Sequence, residues 1–225
     1  MTTEANDLEL TTEPATVPLS RADEIREIAA RLFYHQSYHA VGMRMIAEAA
    51  GVQPASLYHH FTSKEALLYD VVLEVTRDFI DDHLPLLAAN DDPPAQLARL
   101  VELHIEYFWR HRYAMSVGLR EIRNLSEEHY AEVREVRLRY QHGIQEFIAD
   151  GVVSGHFRCD DPQLTGLALL DMMNGVNGWF SEGGRYSIQS LSRSYARLVV
   201  HHLLGAEVTK TDRPPADAPD ATETE

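Results

Sequence analysis

The residues whose types and spacing could do chemistry are concentrated in MRMIAEAAGVQPASLYHHFTSKEAL, residues 43–67. Ile46, Ala47 and Ala50 recur at the spacing of an inward helix face, and small Ala47 lets a second helix approach closely. Gly51 supplies the left-handed backbone that a short turn between two crossed helices needs. Val52 covers the small core from that turn, and Leu57 faces inward on the next helix. Gln53, Ala55, Ser56, Tyr58 and His59 are left toward the outer face and N-terminal end of that helix. A helix presented N-terminus first, with short polar side chains and the positive dipole end forward, suits insertion into the major groove of DNA.

Catalytic groupings are weaker. The chain has twelve histidines but no His-Glu-x-x-His, Gly-x-Ser-x-Gly or phosphate-binding loop. Adjacent His59 and His60 diverge by about 100° around a helix and make a poor metal pair. Asp78, Asp81 and Asp82 read as a solvated helix face rather than a metal cluster. The single Cys159, with His156 three residues before it, excludes an intrachain disulfide and a cysteine-based zinc cluster. No enzyme activity, catalytic residue, metal or cofactor is expected.

The elements that must position these residues are helical. Ile25, Ile28, Ala29, Leu32 and Phe33 form one i, i+3, i+4 stripe. Leu97, Leu100, Val101, His104, Ile105, Phe108 and Trp109 form another, and Val133, Val136, Tyr140, Ile144, Phe147 and Ile148 a third. No comparable run of alternating β-branched residues occurs, so the fold class is all-α. Breakers and caps predict helices over about 20–37, 43–50, 54–60, 63–82, 95–111, 113–125, 126–151, 160–181 and 188–204. Ser63 and Asp161 are the N-caps expected for two of them.

Both ends, 1–19 and 206–225, are rich in Thr, Glu, Asp, Ala and Pro and read as disordered tails. The net charge of −15 is unevenly spread. Over residues 20–68, Arg21, Arg26, Arg31, Arg44 and Lys64 balance Asp23, Glu24, Glu27, Glu48 and Glu65. That neutral segment permits DNA binding, while the acidic total argues against a sequence-blind polybasic binder. No run is apolar enough for a membrane helix and the first twenty residues lack the pattern of a secretory leader, so a cytoplasmic setting without membrane contact is expected.

Residues 21–68 resemble the helix-turn-helix domain of the TetR family of transcriptional regulators, through AARLFYHQSY, IAEAAGV and SLYHHFTSKEAL. The resemblance implies an N-terminal three-helix DNA-binding domain, 20–68, and a C-terminal helical ligand-binding and dimerisation bundle, 69–205, whose last two long helices pair between subunits. It implies phosphate contacts from Tyr58, His59 and Lys64, base contacts from Gln53, Ala55 and Ser56, and Arg44 nearby. Two departures stand out: Gly42 where the family usually caps helix 2 with Ser or Thr, and Ser37 where a Gly commonly ends helix 1.

The segment NGVNGWFSEGGRYSIQSLSRSYARLVVHHLLG is similar to the C-terminal part of family members that sense acyl-CoA thioesters in fatty-acid or steroid-ring degradation. That pattern encodes either the dimer interface or the pocket. Candidate ligand contacts are Tyr107, Phe108, Trp179 and Phe180 for an apolar body, Asn174 and Asn177 as amides in an apolar helix, and Arg120, Arg123 and Asn124 for an anionic group. Arg134, Arg137 and Arg139 add cations on the next helix. The bland alternatives remain open: the aromatics are core, and the arginines pair with Glu121, Glu127 or Glu128. The resemblance thus implies a homodimeric repressor of a palindromic operator, released by an acyl-CoA-like inducer. The alternative is a regulator of efflux or another catabolic route, sensing a different hydrophobic or aromatic ligand.

Overall fold

The computed structural model describes residues 20–88 and 92–206, and every regular element among them is helical. The disorder expected of the two tails therefore falls outside the described residues, Ala206 excepted. Helices α1 (Arg21–Gln36), α2 (Met43–Ala49) and α3 (Pro54–His60) form the N-terminal unit. They are followed by α4 (Lys64–His83), α5 (Pro93–Arg110), α6 (Arg112–Arg120), α7 (Glu127–Val153), α8 (Pro162–Gly175) and α9 (Ile188–Arg197). No helix among the described residues is long and apolar enough to cross a membrane.

The expected caps form. Ser63 accepts from the Ala66 N–H, and Asp161 accepts from Gln163 and Leu164 with Pro162 in the first turn of α8. Asp92 caps α5 from the Ala95 N–H, so that helix starts earlier than the expected 95. Two helices are shorter than their sequence pattern. Instead of running to 125, α6 stops at Arg120 and a 3₁₀ turn covers Ile122–Asn124, held where the Asn124 amide binds the Glu121 carbonyl at 3.2 Å. In place of a helix to 181, α8 stops at Gly175 and tightens into a 3₁₀ turn at Val176–Gly178, where glycines and Asn177 favour leaving the helix. The last helix instead continues as π-helical backbone over Leu198–Leu203, marked by the Leu204 N–H bonding the Val199 carbonyl at 3.0 Å.

A continuous apolar core joins the two units. Ile25, Ala29 and Phe33 of α1 close on Ile46 and Leu57, and α4 carries the core onward through Leu67, Leu68 and Val72. Helix α4 thus crosses the expected 68/69 boundary without a break. Arg26 of α1 reinforces the junction by bonding Asp70 of α4 at 2.8 Å and also pairing with Asp23 and Glu74. On the far side of α4, Glu65 meets the His129 ring nitrogen of α7 at 2.8 Å, and Tyr69 stacks on that ring at 3.7 Å.

Candidate DNA interface and ligand cavity

The α2–α3 unit has the geometry the residue pattern implied. Gly51 has φ +63°, and the Val52 N–H reaches back to the Ala47 carbonyl at 2.9 Å, closing a tight turn. Leu57 is fully buried and fixes the rotation of α3, so that Ala55, Ser56, Tyr58 and His59 face outward; Tyr58 is 51% exposed. Gln53 occupies the N-cap position of α3 but makes no side-chain cap bond, which leaves its amide available for a partner. Arg44 is exposed on α2. Gly42 caps α2 with extended backbone and no side-chain bond. Lys64 is only half-buried and already engaged: its ammonium donates to the carbonyls of Tyr38 and Val41 at 3.0 and 2.9 Å and lies over the Tyr38 ring. It holds the α1–α2 loop with two of its three ammonium donors.

A cavity of about 260 Å³ lies between α4, α5, α6, α7 and α8. Phe79, Ile80, Phe108 and Met115 give it apolar walls, and His104, Arg137, Tyr140 and Asn174 bring polar atoms to it. The His104 ring is buried and stacks on Phe108 with centroids 4.4 Å apart. Its Nδ1 lies 3.1 Å from the Tyr140 hydroxyl and its Nε2 3.3 Å from Asn174 Oδ1. An amide oxygen only accepts, so Nε2 carries the hydrogen and Nδ1 accepts from Tyr140. Burial holds this imidazole down to about 3, helped by nearby His83 and opposed by the Asn174 bond. Burial likewise pushes the Tyr140 hydroxyl up. Arg137 reaches the cavity across Gly118 of α6, where an added Cβ would sit 2.9 Å from the guanidinium Nη2. Burial lowers the pKa of that guanidinium.

Helices α4 and α6 connect the cavity to the N-terminal α1–α3 unit. Helix α4 starts at Lys64 beside the Tyr38 loop and reaches the cavity at Thr76, Phe79 and Ile80. Helix α6 lines the cavity with Met115 and ends at Arg120, which donates to the Tyr34 carbonyl of α1 at 3.0 Å and covers the Tyr34 ring. Immediately after, the Glu121 carboxylate accepts from the Tyr38 N–H at 3.4 Å.

The comparisons with known proteins agree with this architecture. Residues 25–71 match the family described as bacterial regulatory proteins, tetR family, and residues 90–203 match the tetracyclin repressor-like C-terminal domain. The chain belongs to the TetR family. It is 30% identical over 189 residues to the HTH-type transcriptional repressor KstR2 of Rhodococcus jostii (strain RHA1), covering 81% of this chain and 91% of the relative. Among solved structures it resembles the TetR-family regulator PfmR of Thermus thermophilus, with TM-score 0.73, 32% identity, and 79% of this chain and 97% of that one covered. It also resembles AibR, solved in complex with isovaleryl coenzyme A and operator DNA, with TM-score 0.74, 25% identity, and 84% of this chain and 100% of that one covered. The chain is therefore a helix-turn-helix transcriptional regulator, of a family of regulators and not of enzymes.

In this TetR-family chain the residues expected at DNA fall on α2, α3 and the start of α4, whereas the expected ligand residues scatter. Phe108 and Asn174 line the cavity. Tyr107 does not: one residue from Phe108 on the same helix, it turns instead to a cleft with Arg26, Asp78 and His111. Arg120 is spent on α1, Arg123 is exposed, and Asn124 bonds Glu121 within its own turn, so none of the three lines the cavity. Trp179 is exposed and Phe180 packs edge-on against Trp109 at 4.6 Å, both away from the cavity lining. Asn177 buries both amide atoms without a partner but also lies off the lining. His104 and Tyr140 were legible only as members of buried stripes, and Arg137 only as one of three arginines on a helix. Their convergence brings His104 to Arg137, 33 positions on, and to Asn174, 70 positions on, and no local signal carries it.

Proposed function

We propose that the protein is a homodimeric repressor that binds a palindromic DNA operator and is released by an acyl-CoA-like inducer in lipid or steroid catabolism. The observation that carries the ligand half of this reading is the cavity, which combines apolar walls with Arg137 and the His104–Tyr140–Asn174 group. The name of KstR2, a repressor, and the isovaleryl coenzyme A in the AibR complex support the direction and the ligand class. Gln53, Ala55 and Ser56 would read base edges, with Arg44 beside them, while Tyr58, His59 and Lys64 hold phosphates. Dimerisation has a geometric purpose, since two recognition helices must reach grooves about 34–36 Å apart. The apolar face of α8 around Leu164, 63% exposed in the single chain, together with Leu198 after α9, supplies the surface that a second subunit would cover.

Release would follow from a shift between two spacings of the reading heads. A ligand wedged among Phe79, Met115 and Arg137 touches both helices that reach the DNA-reading unit. Hundredfold weakening of operator affinity requires the inducer to favour the DNA-incompetent state by about 3 kcal/mol. The experiment is operator affinity, on a palindrome selected from random duplexes, with and without a panel of acyl-CoA thioesters and free CoA. Release by a thioester but not by CoA is the expected result. Tight binding indifferent to every thioester would remove the acyl-CoA reading and favour a different hydrophobic or aromatic inducer.

A further inference from the structure

Arg137 is the only Lys or Arg side chain lining the cavity, and it makes no ion pair or hydrogen bond among the described residues. The one carboxylate on the lining, Asp171, is exposed at the rim and does not pair with it. Neutral His104 has both ring nitrogens occupied and supplies no charge. Burial takes part of this half-buried guanidinium's hydration, and no protein acceptor bonds it in return. The residue of α6 beside the guanidinium is Gly118, and an added Cβ there would lie 2.9 Å from Nη2 and oblige the guanidinium to shift. The cavity, at about 260 Å³, is also smaller than the roughly 300–1,000 Å³ that encloses a whole drug-sized ligand. It therefore takes an acyl-sized piece. A neutral thioester carbonyl offsets little of the guanidinium's lost hydration, whereas a carboxylate offers two parallel charge-assisted bonds to its planar fork.

Resting on the reading of this cavity as the inducer site, we propose that the enclosed part of the ligand carries a carboxylate held by Arg137. The carboxylate is either the head of a free hydrophobic acid or the distal group of a dicarboxylic acyl thioester.

Titration calorimetry on the full chain with octanoate, octanamide, octanoyl-CoA and suberyl-CoA separates these sources. The expected result is a preference of about 10- to 100-fold for octanoate over octanamide, for suberyl-CoA over octanoyl-CoA, or for both. Arg137→Met should abolish the preference and Arg137→Lys should retain part of it. The Arg137→Met protein without ligand should melt no lower than wild type, since it loses an unpaired, half-buried charge and not a contact. The proposal is overturned if neither preference exceeds about twofold, if the preference survives in Arg137→Met, or if none of the four probes binds wild type. Operator release measured with the same probes separates this idea from the broader one. Release by octanoyl-CoA from wild type and Arg137→Met alike would keep the acyl-CoA inducer and discard the carboxylate. An Arg137-dependent preference for octanoate, with no release by either thioester, would do the reverse.

Discussion

Acid should loosen this protein through His104, and the size of the effect follows from where that ring sits. The imidazole is buried at 1% exposure, stacked on Phe108 and bonded at both nitrogens in its neutral form, with a folded pKa near 3 against the ordinary 6.5. Between those two values the unfolded chain binds a proton that the folded chain excludes. The contribution is therefore fully present above about pH 6.5 and is lost progressively as pH falls toward 3. At pH 5 the loss amounts to about 2 kcal/mol, from 1.5 units at about 1.36 kcal/mol each. His83 and His111, whose pKa values burial also lowers, act in the same direction, as do the lowered carboxyls of Asp23 and Glu65, whereas Glu74 and Asp78, raised chiefly by burial, act in the opposite one. The difference between wild type and His104→Gln cancels those shared terms. Urea unfolding at fixed protein concentration, at pH 7 and pH 5, should show wild type losing about 2 kcal/mol more than the variant over that interval. A wild-type-minus-variant difference that stays constant from pH 7 to pH 5 would refute the claim that this ring is held neutral by burial.

Ser37 offers a second test. It ends α1 at φ 67°, ψ 157°, a region populated almost entirely by glycine, and is the only non-glycine described residue with positive φ. Relief of about 1–3 kcal/mol of strain, less about 0.5–1 kcal/mol for glycine's greater unfolded freedom, predicts that Ser37→Gly stabilises the fold and raises Tm by a few degrees. A Tm at or below that of wild type in thermal scans at matched concentration would contradict the strain. At DNA, Tyr58→Phe should weaken binding by a similar factor on every operator variant, while Gln53→Ala should change the ranking among variants, as read by titration against single-base substitutions. An unchanged ranking in the Gln53→Ala protein would remove its base-reading role.

Much of the DNA-reading half was legible because its information is local. The inward positions Ile46, Ala47 and Leu57, the turn at Gly51 and the cap at Ser63 act within a few residues of one another, and all take the expected places. Helical periodicity then determined which faces of α1, α5 and α7 are buried, since a 3.6-residue repeat states its own apolar side. The ends of α6 and α8 were less readable, because the competition between continuing a helix and closing a 3₁₀ turn is settled by only a few polar and glycine residues.

The ligand side belongs to the tertiary structure. Sequence composition picked Arg120, Arg123 and Asn124 as the polar end of a pocket, yet α6 directs Arg120 to Tyr34, and Asn124 turns back on Glu121. Lys64 was readable as a cation, but only the packing of α4 beside the α1–α2 loop gave it two carbonyls to hold. The sequence alone determined an all-helical chain with a DNA-reading head, because periodicity, caps and turns are short-range quantities. Which arginine lies unpaired beside a cavity, and which histidine is kept neutral, is decided by five helices meeting across long stretches of chain. Burial and the absence of a partner are properties of that meeting, and no window of sequence contains them.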